Sequence, residues 1–313
     1  MPVTLESSKV GINEKVDQQV IETIRRNSII MDALVFDNAV SAGTGGSTLT
    51  YGYLRLKTPA TANGRAINQE YTPQEAEREK KTTDLVVMGG SFQIDRVIAE
   101  SDGAIDEVEF QLNQKTKATI GRYQYLLING KGSVATEFDG LNELLKGTDT
   151  EFDASSIDVS TIDEESAAAL VEALDGAIAE MDGKPTHIIA NSKAITKIKA
   201  AARKLGYLTH SEDAFGRSVE AYNNIPLVDM GKYNNGVGNV DIVPVSEGAT
   251  NIYLVRTALD GLHGVSLRGE KLVSTHVPDF TEAKAVHTGD VEFVAGLALK
   301  NTRAAAVLKG VKI

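Results

Sequence analysis

Cysteine and tryptophan are absent from this chain, only five histidines occur, and no apolar run approaches the ~20 residues that span a bilayer. Without cysteine there can be no disulfide framework, no thiolate zinc site and no thiol nucleophile, so any covalent hardening must use other chemistry. The histidines, His187, His210, His263, His276 and His287, show no metal-ligand spacing and read as ordinary strand or loop residues. An excess of positive charge is also missing: 32 basic against 43 acidic residues leave a net charge of -11, which disfavours broad contact with nucleic acid or anionic membrane. No repeat recurs at a fixed period, which removes solenoids and propellers. The opening Met1-Pro2-Val3-Thr4-Leu5-Glu6 lacks the basic stretch and apolar run of a secretory signal, so the expectation is a protein made and kept in a cytoplasm-like compartment, with no membrane partner.

Motifs of enzyme chemistry are scarce as well. The glycine-rich run at residues 43–48 lacks the Lys-Ser/Thr ending of a phosphate loop and leads into a strand, so it reads as a hinge. Asp149, Glu151, Asp153 and Asp158 cluster without the glycine and terminal glutamate of a calcium loop. No Gly-x-Ser-x-Gly elbow is found. The reading is no catalytic, cofactor-binding or metal-binding residue, no cofactor, and a protein that is not an enzyme.

What is present is a 313-residue chain with 42% hydrophobic residues, enough for one large domain or two smaller ones. Apolar residues at helical spacing over residues 16–30 predict a helix too short to make a core alone. It is either an arm for a neighbouring subunit or an N-terminal helix docked on its own domain. Residues 47–56 alternate as a strand, with Leu54 and Leu56 at its end, and residues 81–94 form a second strand-like run. Between them lies a polar connection over residues 57–80, broken by Pro59, Gly64 and Pro73. Its tip is assigned Glu70, Glu75, Glu77, Arg78, Glu79, Lys80 and Lys81. A charged connection of that length needs a function, and a two-stranded ribbon is marginally stable alone, so a projecting hairpin stabilised by a partner surface is expected.

Residues 102–128 carry a helical stripe through Ile105, Val108, Leu112, Thr116, Ile120, Tyr123 and Leu127, closed by Asn129-Gly130. That makes a spine about 40 Å long. Beyond Gly132 helices alternate with short strands. One helix over residues 163–181 opens on a capping box of Thr161 and Glu164, and a basic helix over residues 193–205 is capped by Asn191 or Ser192 and closed by Gly206. Strands are expected at residues 187–190, 227–229, 240–245, 252–255, 265–267 and 272–277, and two strands at 291–299 and 304–308 are expected to pair with each other. The fold class is α+β.

The order of arm, long hairpin, spine helix, α+β domain and returning strands resembles the HK97-fold major capsid proteins of tailed bacteriophages. Phrases along the chain strengthen the likeness: Leu126-Leu127-Ile128-Asn129-Gly130-Lys131-Gly132, then Phe138-Asp139-Gly140-Leu141, then Pro185 to Ser192, Asn224 to Val228, and Asn301 to Leu308. The resemblance implies an N-terminal arm at residues 1–40, an extended β-hairpin E-loop and its base at 41–94, and a P-domain with the spine helix at 95–135. An A-domain at 136–288 and C-terminal strands returning to the P-domain at 289–313 would follow. It implies self-assembly into hexamers and pentamers of an icosahedral phage head, a virion built in the host bacterial cytoplasm, with double-stranded DNA confined inside without specific contacts. Portal and decoration proteins are implied partners, and a scaffold, since no long helical extension precedes the arm, would be a separate protein or absent. Inter-subunit contacts fall to Lys57, Glu70, Glu75, Glu77, Arg78, Glu79, Lys80 and Lys81. The family's Lys-Asn crosslinks would draw on Lys57, Lys80 or Lys81, although solvated charge is the plainer reading of those lysines. An encapsulin-type nanocompartment shell shares the fold and is the nearest alternative, with an α+β enzyme lacking a recognisable motif behind it.

Overall fold

A computed structural model describes residues 29–38, 49–58, 60–100, 107–206, 208–212, 218–267 and 272–313. The helix expected over residues 16–30 lies outside these up to residue 28, as do the glycine-rich run at 43–48 and the start of the spine at 102–106.

The first elements are α1 (Ile29–Ala33) and β1 (Phe36–Asp37), followed by the ribbon strands β2 (Thr50–Thr58) and β3 (Glu77–Asp84) and by β4 (Val86–Asp95). The strand expected over residues 81–94 is thus two strands in two sheets. Leu85 is the break: it and Val86 are both buried, which interrupts strict alternation, and the Leu85 N–H donates to Leu49 O at 2.7 Å. Before it the chain pairs with β2, and after it with a distant strand. Glu77, Arg78, Glu79, Lys80 and Lys81 accordingly lie in β3 and not at the tip. Pairing with β2 draws those residues into the ladder, leaving residues 60–76 to make the turn.

Next come α2 (Arg96–Glu100) and the spine α3 (Glu107–Asn129), whose 23 residues span about 35 Å. Its buried stripe of Leu112, Ile120, Tyr123 and Leu127 lies where the sequence spacing puts it. After α4 (Leu141–Leu144) and β5 (Glu151–Asp153) follows α5 (Glu164–Glu180). Its N-cap is Asp163, not Thr161: the Asp163 carboxylate accepts from the Ser166 N–H and the Ser166 hydroxyl closes the box. A carboxylate one residue before the helix also suits the positive end of the helix dipole. β6 (His187–Ala190) leads into α6 (Ser192–Leu205), capped by Asn191 and ended by Gly206 at φ 76°, a left-handed turn that glycine adopts without strain.

The remaining strands are β7 (Leu208–Glu212), β8 (Ser218–Tyr222), β9 (Ile225–Asp229), β10 (Lys232–Asn234), β11 (Asn239–Asp241), β12 (Val245–Ser246), β13 (Ala249–Val255), β14 (Leu262–Ser266), β15 (Val273–His276), β16 (Val286–Leu299) and β17 (Ala305–Lys312). The single strand expected at 240–245 divides into β11 and β12, which pair in different sheets, because Ile242 and Val243 turn into the core and Pro244 has no N–H to give a ladder. The two C-terminal strands do not pair with each other. A short 3-10 turn at Thr302–Ala304, capped by Asn301, carries the chain from one sheet to the other.

One sheet is built on β16, which pairs with β4 along one edge and with β15 and β14 along the other, β1 continuing beyond β14. Strands β4 and β16 approach so closely at Gly89 that a Cβ there would sit 2.0 Å from Val291 O, which excludes any larger residue. The spine α3 lies across β4 and β16, and Tyr123 packs against Phe293, Phe138 and Phe36. Each such buried aromatic or aliphatic side chain contributes about 1.5–3 kcal/mol.

The second sheet runs β5-β17-β13-β6-β9-β8-β7, with β12 on β13. Alternation along its central strands separates two cores. Ile189, Tyr253, Val255 and Val307 face the core that holds the spine, while Ile188, Leu254, Ala306 and Leu308 face the core under α5 and α6.

Candidate assembly surface

The ribbon β2–β3 is the feature that the cores do not require, and its two faces differ in chemistry. On one face, alternate residues Tyr51, Tyr53 and Arg55 hold the ribbon to the body. Tyr51 and Tyr53 are buried with Leu85, Val265 and Ala298 in a small core of their own. The Tyr51 hydroxyl donates to Asp37 at 2.9 Å, and the Lys300 ammonium approaches the same carboxylate at 3.9 Å. Burial first, then the bond to Asp37, push the Tyr51 phenol well above its usual range, so it remains a donor. Arg55 reaches across to donate to Leu299 O at 2.6 Å. Farther out the same face carries compensated charge: Arg55–Glu79 at 3.8 Å, Lys81–Glu79 at 3.4 Å and Lys57–Glu77 at 2.7 Å. Exposed pairs of this kind stabilise by about 0–1 kcal/mol each, so they set register more than they add stability.

The opposite face carries Leu54 and Leu56, exposed to 64% and 59%, cross-strand from Lys80 and Arg78. The Lys80 stem lies over Gly52, where an added Cβ would be 3.2 Å from its Cε, so the aliphatic part of the cation extends the apolar strip. At the tip Ile67 and Tyr71 are exposed, Arg65 lies 5.2 Å over the Tyr71 ring and donates to Gln69 O, and Asn68 takes a left-handed φ of 66°. Two leucines side by side on a two-stranded ribbon, flanked by cations, form a surface that is stabilised by covering it with an apolar, acidic partner.

Of the residues that sequence reasoning assigned to inter-subunit contact, the structure brings Lys57 to Glu77 and Lys81 to Glu79 on the anchored side, sets Arg78 and Lys80 on the free side, and leaves Glu70 and Glu75 exposed in the turn segment. Leu54 and Leu56 were missed as contact residues. The signal was in the sequence: if Tyr51 and Tyr53 face the body, period-2 alternation turns Leu54 and Leu56 outward.

Elsewhere the acidic cluster is occupied within the chain. Glu151 pairs with Lys309 and is held below the usual carboxylate range by that bond, Asp149 lies 3.7 Å from Arg303, and Asp153 and Asp158 accept from Ser155 and Ser160. Among the described residues no three His, Cys, Asp or Glu converge as metal ligands, and no helix is long and apolar enough to cross a membrane. His187 and His263 are strand residues whose imidazoles burial pushes below their usual pKa, and His287 stacks on Phe280 at 4.8 Å. The His210 side chain lies outside those described.

No protein-family model matches the sequence, and no curated protein does. The fold does match solved structures. The chain is similar to the SrpI encapsulin of Synechococcus elongatus PCC 7942 at a TM-score of 0.65 and 18% identity, over 90% of this chain and 87% of that one. It is similar to the capsid of a native GTA particle at 0.60 and 14%, over 92% and 90%, and to a virus-like particle from Pyrococcus furiosus at 0.55 and 12%, over 95% and 99%. Capsids of the Myoviridae phage XM1, the bacteriophage PhiM1 and the cyanophage P-SCSP1u match at 0.55–0.56. The α+β fold expected of HK97-type shell proteins is therefore the fold of this chain.

Proposed function

We propose that this chain is the structural subunit of a closed protein shell, the major capsid protein of a tailed phage. In that role it tiles hexamers and pentamers of an icosahedral head around double-stranded DNA. The observation that carries the reading is the ribbon: on a shell-protein fold, a hairpin anchored by Tyr51, Tyr53 and Arg55 presents Leu54 and Leu56 uncovered. A surface that its own chain leaves open, and that is set apart from both cores, suits a neighbouring copy. Arg78 and Lys80 on the free side, with Glu70 and Glu75 in the turn, then form the polar rim of that contact, weak singly and repeated in every subunit, while Lys57, Glu77, Glu79 and Lys81 stay paired on the anchored side. A net charge of -11 fits a wall that confines DNA without gripping it. The chain so read works in the virion after assembly in a bacterial cytoplasm, alongside portal, scaffold and decoration proteins.

A second reading, an encapsulin-type compartment, is favoured by one observation: the encapsulin match has a higher TM-score, 0.65, than the GTA capsid at 0.60 or the phage capsids at 0.56. Negative-stain electron microscopy of the purified chain, with light scattering against concentration, tests both. Closed shells, or discrete pentamers and hexamers, are expected. Nucleic acid inside identifies a phage head and protein cargo a compartment, whereas a small oligomer under all conditions refutes both.

A further inference from the structure

The two helices over the outer face of the eight-stranded sheet carry opposite charge. Between Glu164 and Glu180, α5 has five carboxylates and no basic residue; between Lys193 and Lys204, α6 has five cations and no acidic residue. Helix stability does not account for this segregation. Lys193 in the first turn of α6 opposes the helix dipole, Glu172 lies mid-helix, where the dipole has no preference, and Glu180 in the last turn of α5 opposes the dipole although Arg303 compensates it at 3.7 Å. Lys197 and Lys204 donate to the backbone oxygens of Ser160 and Ile162 and not to α5, whose Asp175 accepts from the Tyr222 hydroxyl at 2.7 Å. Exposed Ala168, Gly176 and Ala179 on α5 leave a shallow open depression with Glu172 at its side and Leu205, at the end of α6, on its border. Small side chains there let another helix come close.

We propose that the acidic face of α5 docks on the basic face of α6 of a second copy, head to tail, and that this contact closes the ring of a capsomer. The inference rests on the shell reading. Copies with a net charge of -11 repel one another, so association needs surfaces of locally opposite sign, and these two helices supply both halves on one molecule. A contact between two different surfaces repeats from copy to copy, and where its rotation divides a full turn it closes into a ring.

The test is a charge exchange in the full chain. One variant carries Ala168→Lys and Glu172→Lys on α5, the other Lys193→Glu and Thr196→Glu on α6. All four positions are exposed, and carboxylates in the first turn of α6 favour the helix. Each variant alone should raise the concentration needed for ring or shell formation at least about tenfold. An equimolar mixture should recover assembly, because alternating subunits restore opposite signs at every contact, and its rings should be even-membered. Wild-type assembly by either variant alone, or a mixture no better than its components, would overturn the proposal while the shell reading stands. Failure of the unaltered chain to form rings or shells at any concentration removes both.

Discussion

Replacing Leu54 and Leu56 together by serine separates assembly from folding. Full burial of a leucine side chain contributes about 1.5–3 kcal/mol. These two retain 64% and 59% exposure in the single chain, so covering them by a neighbour recovers roughly 1–2 kcal/mol each. Ordering costs at an interface absorb part of this. At about 1.4 kcal/mol per tenfold, the double substitution should raise the assembly threshold about 10- to 100-fold. The chain's own stability should barely change, because side chains that are already exposed alter unfolding by about 0.5 kcal/mol or less. The assay is light scattering against protein concentration, paired with thermal unfolding of the unassembled chain. An unchanged threshold refutes the ribbon as an assembly surface. A large fall in thermal stability refutes the assignment of these leucines to the free side.

Two further outcomes concern the body. Tyr123 is fully buried on the spine with its hydroxyl unpartnered, so Tyr123→Phe keeps the aromatic packing and removes an unsatisfied polar group. Stability should rise by about 1 kcal/mol, about 2 °C in Tm, and a loss in calorimetry would show that the hydroxyl is bonded. His263 is buried with its Nε2 unpartnered, beside Tyr51, Lys300 and Asp37, and its folded pKa lies below the unfolded value of about 6.5. The unfolded chain therefore binds more protons in that range, and stability falls as pH drops from 7 toward 5, by up to about 1.4 kcal/mol per unit for each such histidine. His187 adds in the same direction, while the depressed carboxylates act only at lower pH. Denaturant midpoints that stay flat between pH 7 and 5 would refute this.

The parts of the fold readable from sequence are those fixed by local periodicity. The stripe from Leu112 to Leu127 and the Asn191 and Gly206 caps are each decided within one helix, and the structure keeps them. What escaped depends on partners far along the chain. The chain changes sheets at Leu85 because Val86 onward pairs with β16, and β17 leaves β16 for β13 because the turn at Thr302–Ala304 redirects it; neither partner is visible in a short window. The ribbon was legible as a projection. Its charged residues read as contacts in the sequence, yet several are paired within the chain, and the exposed Leu54 and Leu56 carry no charge to mark them.

The central place of β16 and β17 sets the order in which the protein can be completed during synthesis. β16 pairs residue 293 with residue 88, and β17 sets residue 307 against residue 151. Until residue 299 has been made, the spine-side sheet lacks the strand to which β4, β14 and β15 attach, and until residue 312 has been made, the other sheet lacks the bridge between β5 and β13. Closing such distant pairs is slow. A nascent chain consequently holds the ribbon without the Leu299 and Ala298 anchorage that aims it, so a neighbour meets a finished surface only after the whole subunit has folded. On the proposed shell function, late strands would thereby act as a timer that puts folding ahead of assembly.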